Sequence, residues 1–186
     1  EVFRQQPIGI RQVLLATSIC NEFDDELGDA LTGTNTSAKI LEEVESKNLL
    51  TTRLGGPHRW YRYHHLFREF LRDKLRREDP NRFRSLHRKA AEHYLAKGEP
   101  RQAIHYFLQG SELDRATELL EEQVESIAHE GLWETLEGWL QQLPAERLAA
   151  RPKLLLYLSR VHQLRGRNDD AIQVLNRVID VCRDQQ

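Results

Sequence analysis

Two adjacent histidines, His64 and His65, are the residues of this chain whose chemistry is easiest to predict. Arg62 lies two residues before them, and a segment with helical spacing of apolar residues follows at once. We expect the pair to open a helix, where the first-turn N–H groups and the helix dipole favour an anion. Imidazole can bind such an anion, or it can cap the helix or pack against the preceding strands. The pair therefore predicts a phosphate contact, with a purely structural role as the alternative.

Arginines on either side of the histidines extend this cationic segment. Arg59 and Arg68, like Arg62, can donate charge-assisted hydrogen bonds to a phosphate or to another domain, although solvated surface is the commoner fate of such side chains. A metal site is disfavoured, because adjacent histidines point in different directions and no further ligand has suitable spacing. The histidines considered for it are His58, His64, His65 and His87.

Other kinds of site are not indicated by the sequence. Cys20 and Cys182 are far apart and lack ligand-like spacing, so neither a zinc site nor a disulfide framework is expected. The chain contains no G-x-x-x-x-G-K-[ST] phosphate loop and no Ser/His/Asp or Cys/His arrangement. We expect no enzyme activity, no metal and no cofactor in this segment.

The elements before the histidines predict a winged helix. Ile10, Val13, Leu14 and Thr17 have helical spacing, a second helix begins at Asp24 or Asp25 and ends near Gly33, and a third covers about residues 35–47. Residues 49–54 and 60–63 are typical of two strands, with Gly55-Gly56-Pro57-His58 as the turn between them. Three helices and a β-hairpin make up a winged helix domain, which we place at residues 1–79.

A long helix is predicted to follow the hairpin, over residues 64–77. Its apolar positions form one stripe, and Asp79-Pro80 ends it. The stripe consists of Leu66, Phe67, Phe70, Leu71 and Leu75.

Glycines recur in the remainder of the chain with a nearly constant period. Gly98, Gly131 and Gly166 are separated by 33 and 35 residues, close to the ~34-residue period of tetratricopeptide repeats. Small residues follow two of them at the spacing such repeats use, but Leu136 follows Gly131, so we expect an irregular middle pair. We predict an α-solenoid of TPR-like antiparallel helical hairpins over residues 80–186, in which Trp133, Trp139 and Tyr157 are core residues more often than a ligand platform. The whole chain is thus predicted to be mainly α.

Composition and charge exclude several classes of protein. Thirty per cent charged residues and a mean hydropathy of −0.65 indicate a soluble protein without a membrane span or signal peptide, and we expect a cytoplasmic location. The chain begins with Glu and contains no Met, so we expect a segment of a longer protein. Between residues 58 and 89 eleven Arg or Lys face four Asp or Glu, whereas residues 37–47 of the third helix hold three Glu against two Lys. Since that helix usually reads the major groove, we expect no direct DNA binding.

Several segments resemble one protein family. Residues 60–71, WYRYHHLFREFL, are similar to the MalT-like, large ATP-binding LuxR-type regulators of the STAND class of signal-transduction ATPases. Four further segments resemble the same family in the same order: LLATSI at 14–19, LEEVESKNLL at 41–50, WLQQLP at 139–144 and RPKL at 151–154.

The resemblance implies a regulatory segment of a transcription regulator. In such proteins an ATPase core precedes the winged helix, a helical-repeat sensor follows it, and an output domain ends the chain. ATP or ADP is therefore expected in the full-length protein, with that core and output domain as partners and an inducer or protein ligand on the repeats. The string is also similar to the Met-His-Asp-Leu pattern of apoptotic and plant-resistance ATPases, whose histidine contacts ADP; His64 takes its place, and His65 replaces the acidic residue. Together with Arg62 they are the candidate nucleotide-sensing residues. The alternative is a helical-repeat scaffold for protein interactions without nucleotide dependence.

Overall fold

The computed structural model describes residues 3, 5–47, 51–54 and 59–184. The chain divides into two compact units, Glu1–Glu99 and Pro100–Gln186, which are described separately below. The predicted fold class, a winged helix with a small hairpin followed by helical repeats, is confirmed. Helices and strands of the first unit are α1 (Ile8–Thr17), α2 (Asp25–Thr32), α3 (Ser37–Ser46), β1 (Thr51–Arg53), β2 (Tyr61–Tyr63), α4 (His65–Glu78) and α5 (Pro80–Ala96).

Helix ends in the first unit follow from short polar residues and one glycine. The Asp24 carboxylate accepts a hydrogen bond from the Leu27 N–H at 2.8 Å and so caps α2, as predicted. Gly33 ends α2 with a φ of 73°, a left-handed conformation that favours glycine. Asp79 separates α4 from α5 and caps α5 through the Arg82 N–H at 2.9 Å, with Pro80 in the first turn.

The hairpin is antiparallel, and a third segment joins it. Thr51 pairs with Tyr63 and Arg53 with Tyr61. Phe23 forms an isolated antiparallel bridge with Tyr61, with hydrogen bonds of 3.0 and 2.8 Å in the two directions. Sequence reasoning missed this bridge, which ties the connection between α1 and α2 to the wing. The predicted turn at residues 55–58 and the predicted strand residues 49 and 50 lie outside the described part of the chain.

Aromatic side chains from the strands form the core of the winged helix. The Phe23 and Tyr63 ring centroids are 4.9 Å apart, and Phe67 of α4 meets Tyr63 edge-on at 5.7 Å. Inside this core the Thr17 hydroxyl donates to the Val13 carbonyl at 2.7 Å and lies 2.7 Å from the Tyr63 hydroxyl. Burial raises the pKa of Tyr63 far above its usual value, which keeps the phenol neutral. Cys20, which lies just after the end of α1, is also fully buried.

The apolar stripe predicted for α4 is only partly correct. Phe67, Leu71 and Leu75 are buried, but Leu66 is 62% exposed and Phe70 51% exposed. Phe67, Leu71 and Leu75 are spaced by four residues, and this one face of the helix packs α4 against α1 and α5. Leu66 and Phe70 each lie one position earlier and so belong to a neighbouring face of the helix. We call Leu66 and Phe70 the outer apolar pair of α4.

The second unit is helical throughout the residues described. Its elements are α6 (Pro100–Gln109), α7 (Leu113–His129), α8 (Trp133–Leu140), α9 (Ala145–Ala149), α10 (Pro152–Leu164) and α11 (Asn168–Asp184). Helices α6 and α7 form one packed pair, and α10 and α11 form another. The predicted irregular middle is present, because α8 is only eight residues long and the short α9 follows it.

Tight turns separate the helices where the glycine period predicted them. Gly98, Gly131 and Gly166 have φ values of 73°, 75° and 73°. After each glycine the next N–H bonds back to a carbonyl of the preceding helix, for example Arg167 to His162 at 2.8 Å, which satisfies carbonyls at the helix end. The turn between α6 and α7 has the same hydrogen bonds but places Ser111 at the left-handed position, with a φ of 60°. Ser111 is the one non-glycine residue with positive φ in the described chain.

The boundary of the compact units falls later than the domain boundary predicted at residue 79. Helix α5 packs against α2 and α4, and its Lys89 donates to the Leu31 carbonyl at 3.1 Å. Lys97, just after the helix, pairs with Glu26 at 2.6 Å. These contacts keep α5 with the first unit, while the domain boundary stays a prediction.

Candidate functional site

Strand β2 sets the direction of the first candidate residue. Successive side chains of a strand point to opposite faces, so Tyr61 and Tyr63 enter the core and Arg62 faces solvent. The Arg62 guanidinium lies 3.7 Å from the Glu22 carboxylate, and both side chains are about half exposed, at 56% and 46%. Such an exposed pair is weak and easily exchanged, so Arg62 is available to a stronger anion.

His64 continues the strand for one residue and starts α4. Its backbone has φ −55° and ψ 135°, and its carbonyl accepts from the N–H groups of Phe67 and Arg68, both at 3.0 Å. The His64 side chain makes no capping hydrogen bond. Like Arg62, His64 is exposed.

The two histidine rings lie together in solvent. Their centroids are 4.5 Å apart with an interplanar angle of 32°, and both residues are exposed. No acidic residue stands in the first turn of α4, so the unpaired N–H groups at its start are not neutralised by a carboxylate of that turn. Arg62, His64 and His65 are all exposed at the N-terminus of α4, a position that can accept a phosphate or another oxyanion. We call these three residues the α4 corner.

The other arginines of the segment have partners within the first unit. Arg59 bonds to the Glu42 carboxylate of α3, and this hydrogen bond raises the pKa of Arg59. Arg68 donates to the side-chain oxygen of Asn21. Both therefore contribute to the surface of the winged helix rather than to the α4 corner.

The outer apolar pair of α4 is the feature that sequence reasoning missed. Leu66 follows the α4 corner directly, and Phe70 lies one turn further on the same helix, with its ring edge-on to Phe3 at 6.2 Å. The signal was present in the sequence, because apolar residues at 66–67 and 70–71 form adjacent pairs and one helix face can bury only one member of each. Two exposed apolar side chains of α4 therefore follow the α4 corner closely along the chain.

The remaining histidine prediction concerned a metal. His87 is buried in α5 against Phe83, with ring centroids 4.5 Å apart. His58 lies outside the described residues, and within the described ones no three His, Cys, Asp or Glu side chains are placed to hold a metal ion.

The third helix presents carboxylates to solvent. Glu42 and Glu43 are exposed, and Lys47 pairs with Glu43 at 2.6 Å. Arg59 of the wing pairs with Glu42 and so adds no free positive charge to α3. This arrangement supports the prediction that α3 does not bind DNA phosphates.

The aromatic residues of the second unit are mostly packed. Trp139 is 8% exposed, whereas Trp133 and Tyr157 are half-buried. Glu137 receives hydrogen bonds from Arg167 and Arg165, and these lower its pKa. The unit is thus held by core packing and by ion pairs between helices.

Comparison with known proteins assigns the first unit to a family. Residues 1–83 match the family model of the MalT winged helix domain. They belong to the MalT winged helix family. The chain as a whole is 34% identical over 176 residues to the HTH-type transcriptional regulator MalT of Serratia proteamaculans, and 33% identical over 175 residues to that of Vibrio parahaemolyticus. These matches cover 95% and 94% of the chain but only 20% and 19% of the relatives.

A second kind of relative contains the same region. The serine/threonine-protein kinase PknK of Mycobacterium tuberculosis is 29% identical over 168 residues, which is 90% of the chain and 15% of that protein. The chain therefore spans about a fifth or less of the relatives cited. Helices of the described residues are too short or too polar to cross a membrane.

Proposed function

We propose that the chain is a regulatory, non-catalytic segment of an ATP-dependent transcription regulator of the STAND type. Its winged helix would couple the nucleotide state of an ATPase core elsewhere in the protein to the helical-repeat sensor. The match of residues 1–83 to the MalT winged helix supports the regulatory role. The α4 corner is the observation that carries the nucleotide part of the proposal, since it places an exposed arginine and two exposed imidazole rings, which can donate hydrogen bonds to a phosphate, at a helix N-terminus.

The surface beside the α4 corner suits contact with that core. Leu66 and Phe70 expose apolar side chains shortly after His65 in the chain, so a docked domain would bury apolar area while its nucleotide phosphate approaches the α4 corner. ATP or ADP is the expected cofactor of the whole protein. Its own ATPase core and C-terminal output domain are the expected partners, with an inducer or protein ligand on the repeats.

ADP affinity of the full-length protein tests the proposal. A hydrogen bond to a charged phosphate contributes about 1.5–3 kcal/mol, so His64→Ala should weaken ADP binding roughly ten- to a hundredfold. Because ADP then stabilises the resting state less, the same change should raise output without inducer. Arg62→Gln should have a smaller effect in the same direction, since Arg62 is also paired with Glu22.

The matched control is His129→Ala, which removes an exposed histidine at the end of α7 and should leave ADP affinity unchanged. His65→Ala tests whether the adjacent ring of the α4 corner also contributes. Unchanged ADP affinity in a folded His64 variant would assign His64 a structural role. Equal losses in the His64 and His129 variants would show a non-specific effect of removing a surface histidine instead of a specific contact.

A protein-interaction scaffold is the second candidate. It is favoured by exposed apolar side chains on the last helical pair, where Leu156 is 48%, Ile172 56% and Ile179 48% exposed. Exposed apolar patches of this kind are typical of interaction surfaces. Output that responds to a protein partner but is independent of ADP and of His64 would favour the scaffold.

A further inference from the structure

A polar cavity of about 260 Å³ lies within the first unit, away from the residues of the α4 corner. Its walls come from the first two turns of α1, the end of α2 with its connection to α3 and part of α3, and one face of α5. The side chains that matter for binding are Thr32, Thr34, Thr36, Arg82, Ser85 and Lys89.

Helix periodicity explains why α5 supplies the charge. Arg82, Ser85 and Lys89 are spaced by three and four residues, so they lie in one row along the helix and all reach the cavity. The lining includes two cations and no Asp or Glu. This composition selects for a ligand that carries negative charge.

Lys89 and Arg82 differ in the hydrogen bonds that their side chains make. Lys89 donates one hydrogen bond to the Leu31 carbonyl at 3.1 Å, which leaves two N–H groups of its ammonium. The Arg82 side chain is half-buried and makes no hydrogen bond or ion pair with any residue in the described part of the chain. A partly desolvated guanidinium without a carboxylate gains from an oxyanion, which it can bind through two parallel N–H groups.

The opposite wall is held in place by its own hydroxyl groups. Thr36 donates to Thr34 at 3.2 Å, the Thr34 and Thr32 hydroxyls are 2.9 Å apart, and Thr32 donates to the Gly28 carbonyl at 2.8 Å. This chain of hydrogen bonds orders the α2–α3 connection. Gly9, in the first turn of α1, also lines the cavity, and a side chain added there would meet no atom within 4 Å.

We propose that this cavity binds a small phosphate-type oxyanion, either free phosphate or the phosphate group of a small metabolite. Its volume is below the roughly 300–1,000 Å³ of pockets for drug-sized ligands, which fits a compact anion. Arg82 and Lys89 bind the oxygens, and the Ser85 hydroxyl donates a further hydrogen bond. The cavity uses none of the residues proposed to sense ADP.

Titration of inorganic phosphate into the 186-residue chain, followed by NMR at constant ionic strength, tests this assignment. We expect saturable shifts of amides around the cavity, and at least a tenfold loss of affinity in Arg82→Gln. Arg84→Gln is the matched control, because Arg84 lies on the same helix, is exposed, bonds to Asn81 at 2.8 Å and does not line the cavity. Arg82→Lys should retain part of the affinity, and thermal unfolding of each variant shows that the fold is intact.

Two further titrations distinguish the source of the phosphate. If ribose 5-phosphate binds with the affinity of phosphate and ribose does not bind, the cavity recognises a phosphate group within a metabolite. Binding of phosphate alone would support the free ion. Linear, non-saturating shifts for both anions, or equal losses of affinity in the Arg82 and Arg84 variants, would overturn the proposal.

Discussion

The buried hydrogen bond between Thr17 and Tyr63 makes a quantitative prediction about the winged helix. Thr17 is 0% and Tyr63 3% exposed, so neither hydroxyl can bond to water. Thr17→Val removes the acceptor of the Tyr63 hydroxyl and leaves that donor buried and unpaired, at a cost of about 1–3 kcal/mol. Tyr63→Phe removes the donor instead, and the Thr17 hydroxyl keeps its bond to the Val13 carbonyl, so the cost is about 0.5–1.5 kcal/mol.

The double variant decides whether this reasoning holds. In a chain that already carries Tyr63→Phe, the change Thr17→Val no longer leaves a buried phenol without a hydrogen-bond partner. The double variant should therefore lose about 1 kcal/mol less unfolding free energy than the sum of the two single variants. Urea unfolding, with hydrogen exchange of the strand β2 amides to assign the transition to the first unit, gives these free energies. Tyr157→Phe, at a half-buried site of the second unit, is the control and should cost little. Additive costs in the double variant would refute the argument.

The alkaline pH dependence of stability separately tests the burial of the Tyr63 phenol. The pKa of Tyr63 is raised in the folded state, so the stability tied to its neutral phenol is complete below the unfolded pKa of about 10 and falls as pH rises above it. Tyr63→Phe should reduce this alkaline loss. Tyr61, whose pKa burial also raises, should retain part of it. An unchanged slope of unfolding free energy above pH 10 in the Phe variant would contradict the assignment.

Three further predictions concern backbone geometry and charge. Ser111→Gly should stabilise the second unit by about 1 kcal/mol in thermal unfolding, because a left-handed φ costs a residue with a Cβ about that much, whereas Ser111→Ala should not stabilise it. Gly138→Ala should stabilise by about 0.5–1 kcal/mol, since the added Cβ meets nothing within 4 Å, while Gly28→Ala should destabilise because its Cβ would lie 2.9 Å from that of Ser37. Because α3 exposes carboxylates, we expect fluorescence anisotropy at physiological ionic strength to show no salt-sensitive affinity of the chain for duplex DNA. Submicromolar binding that weakens steeply with added salt would contradict this expectation.

The fold was largely predictable because its elements begin and end at residues with strong local preferences. Asp24, Gly33 and Asp79 mark helix ends through capping or a left-handed φ, and the three repeat glycines mark the turns. The turn at Ser111 was not predicted, because its residue type gives no signal for positive φ. There the hydrogen bonds of the helix end and the packing of α6 on α7 impose the conformation.

Features that depend on contacts between distant residues could not be read from the sequence. The Phe23–Tyr61 bridge joins residues 38 positions apart, and no periodic pattern surrounds Phe23. For the candidate site, periodicity placed His64 at the start of α4, but it could not show that the ring makes no capping bond or lies against that of His65. The exposure of Leu66 depends on which face of α4 packs on its neighbours, which tertiary structure decides.

Because Cys20 is buried, the rate at which its thiol can be labelled reports how often the winged helix core opens. A thiol with no exposed surface reacts with a labelling reagent only while the surrounding helices are separated, so its rate of modification measures the population of that open state. The chain has two cysteines, and replacement of Cys182 by Ser would make Cys20 the single reactive group. Labelling kinetics of the Cys20 peptide, followed by mass spectrometry in the full-length protein with and without nucleotide, would then show whether the resting state also holds this core closed.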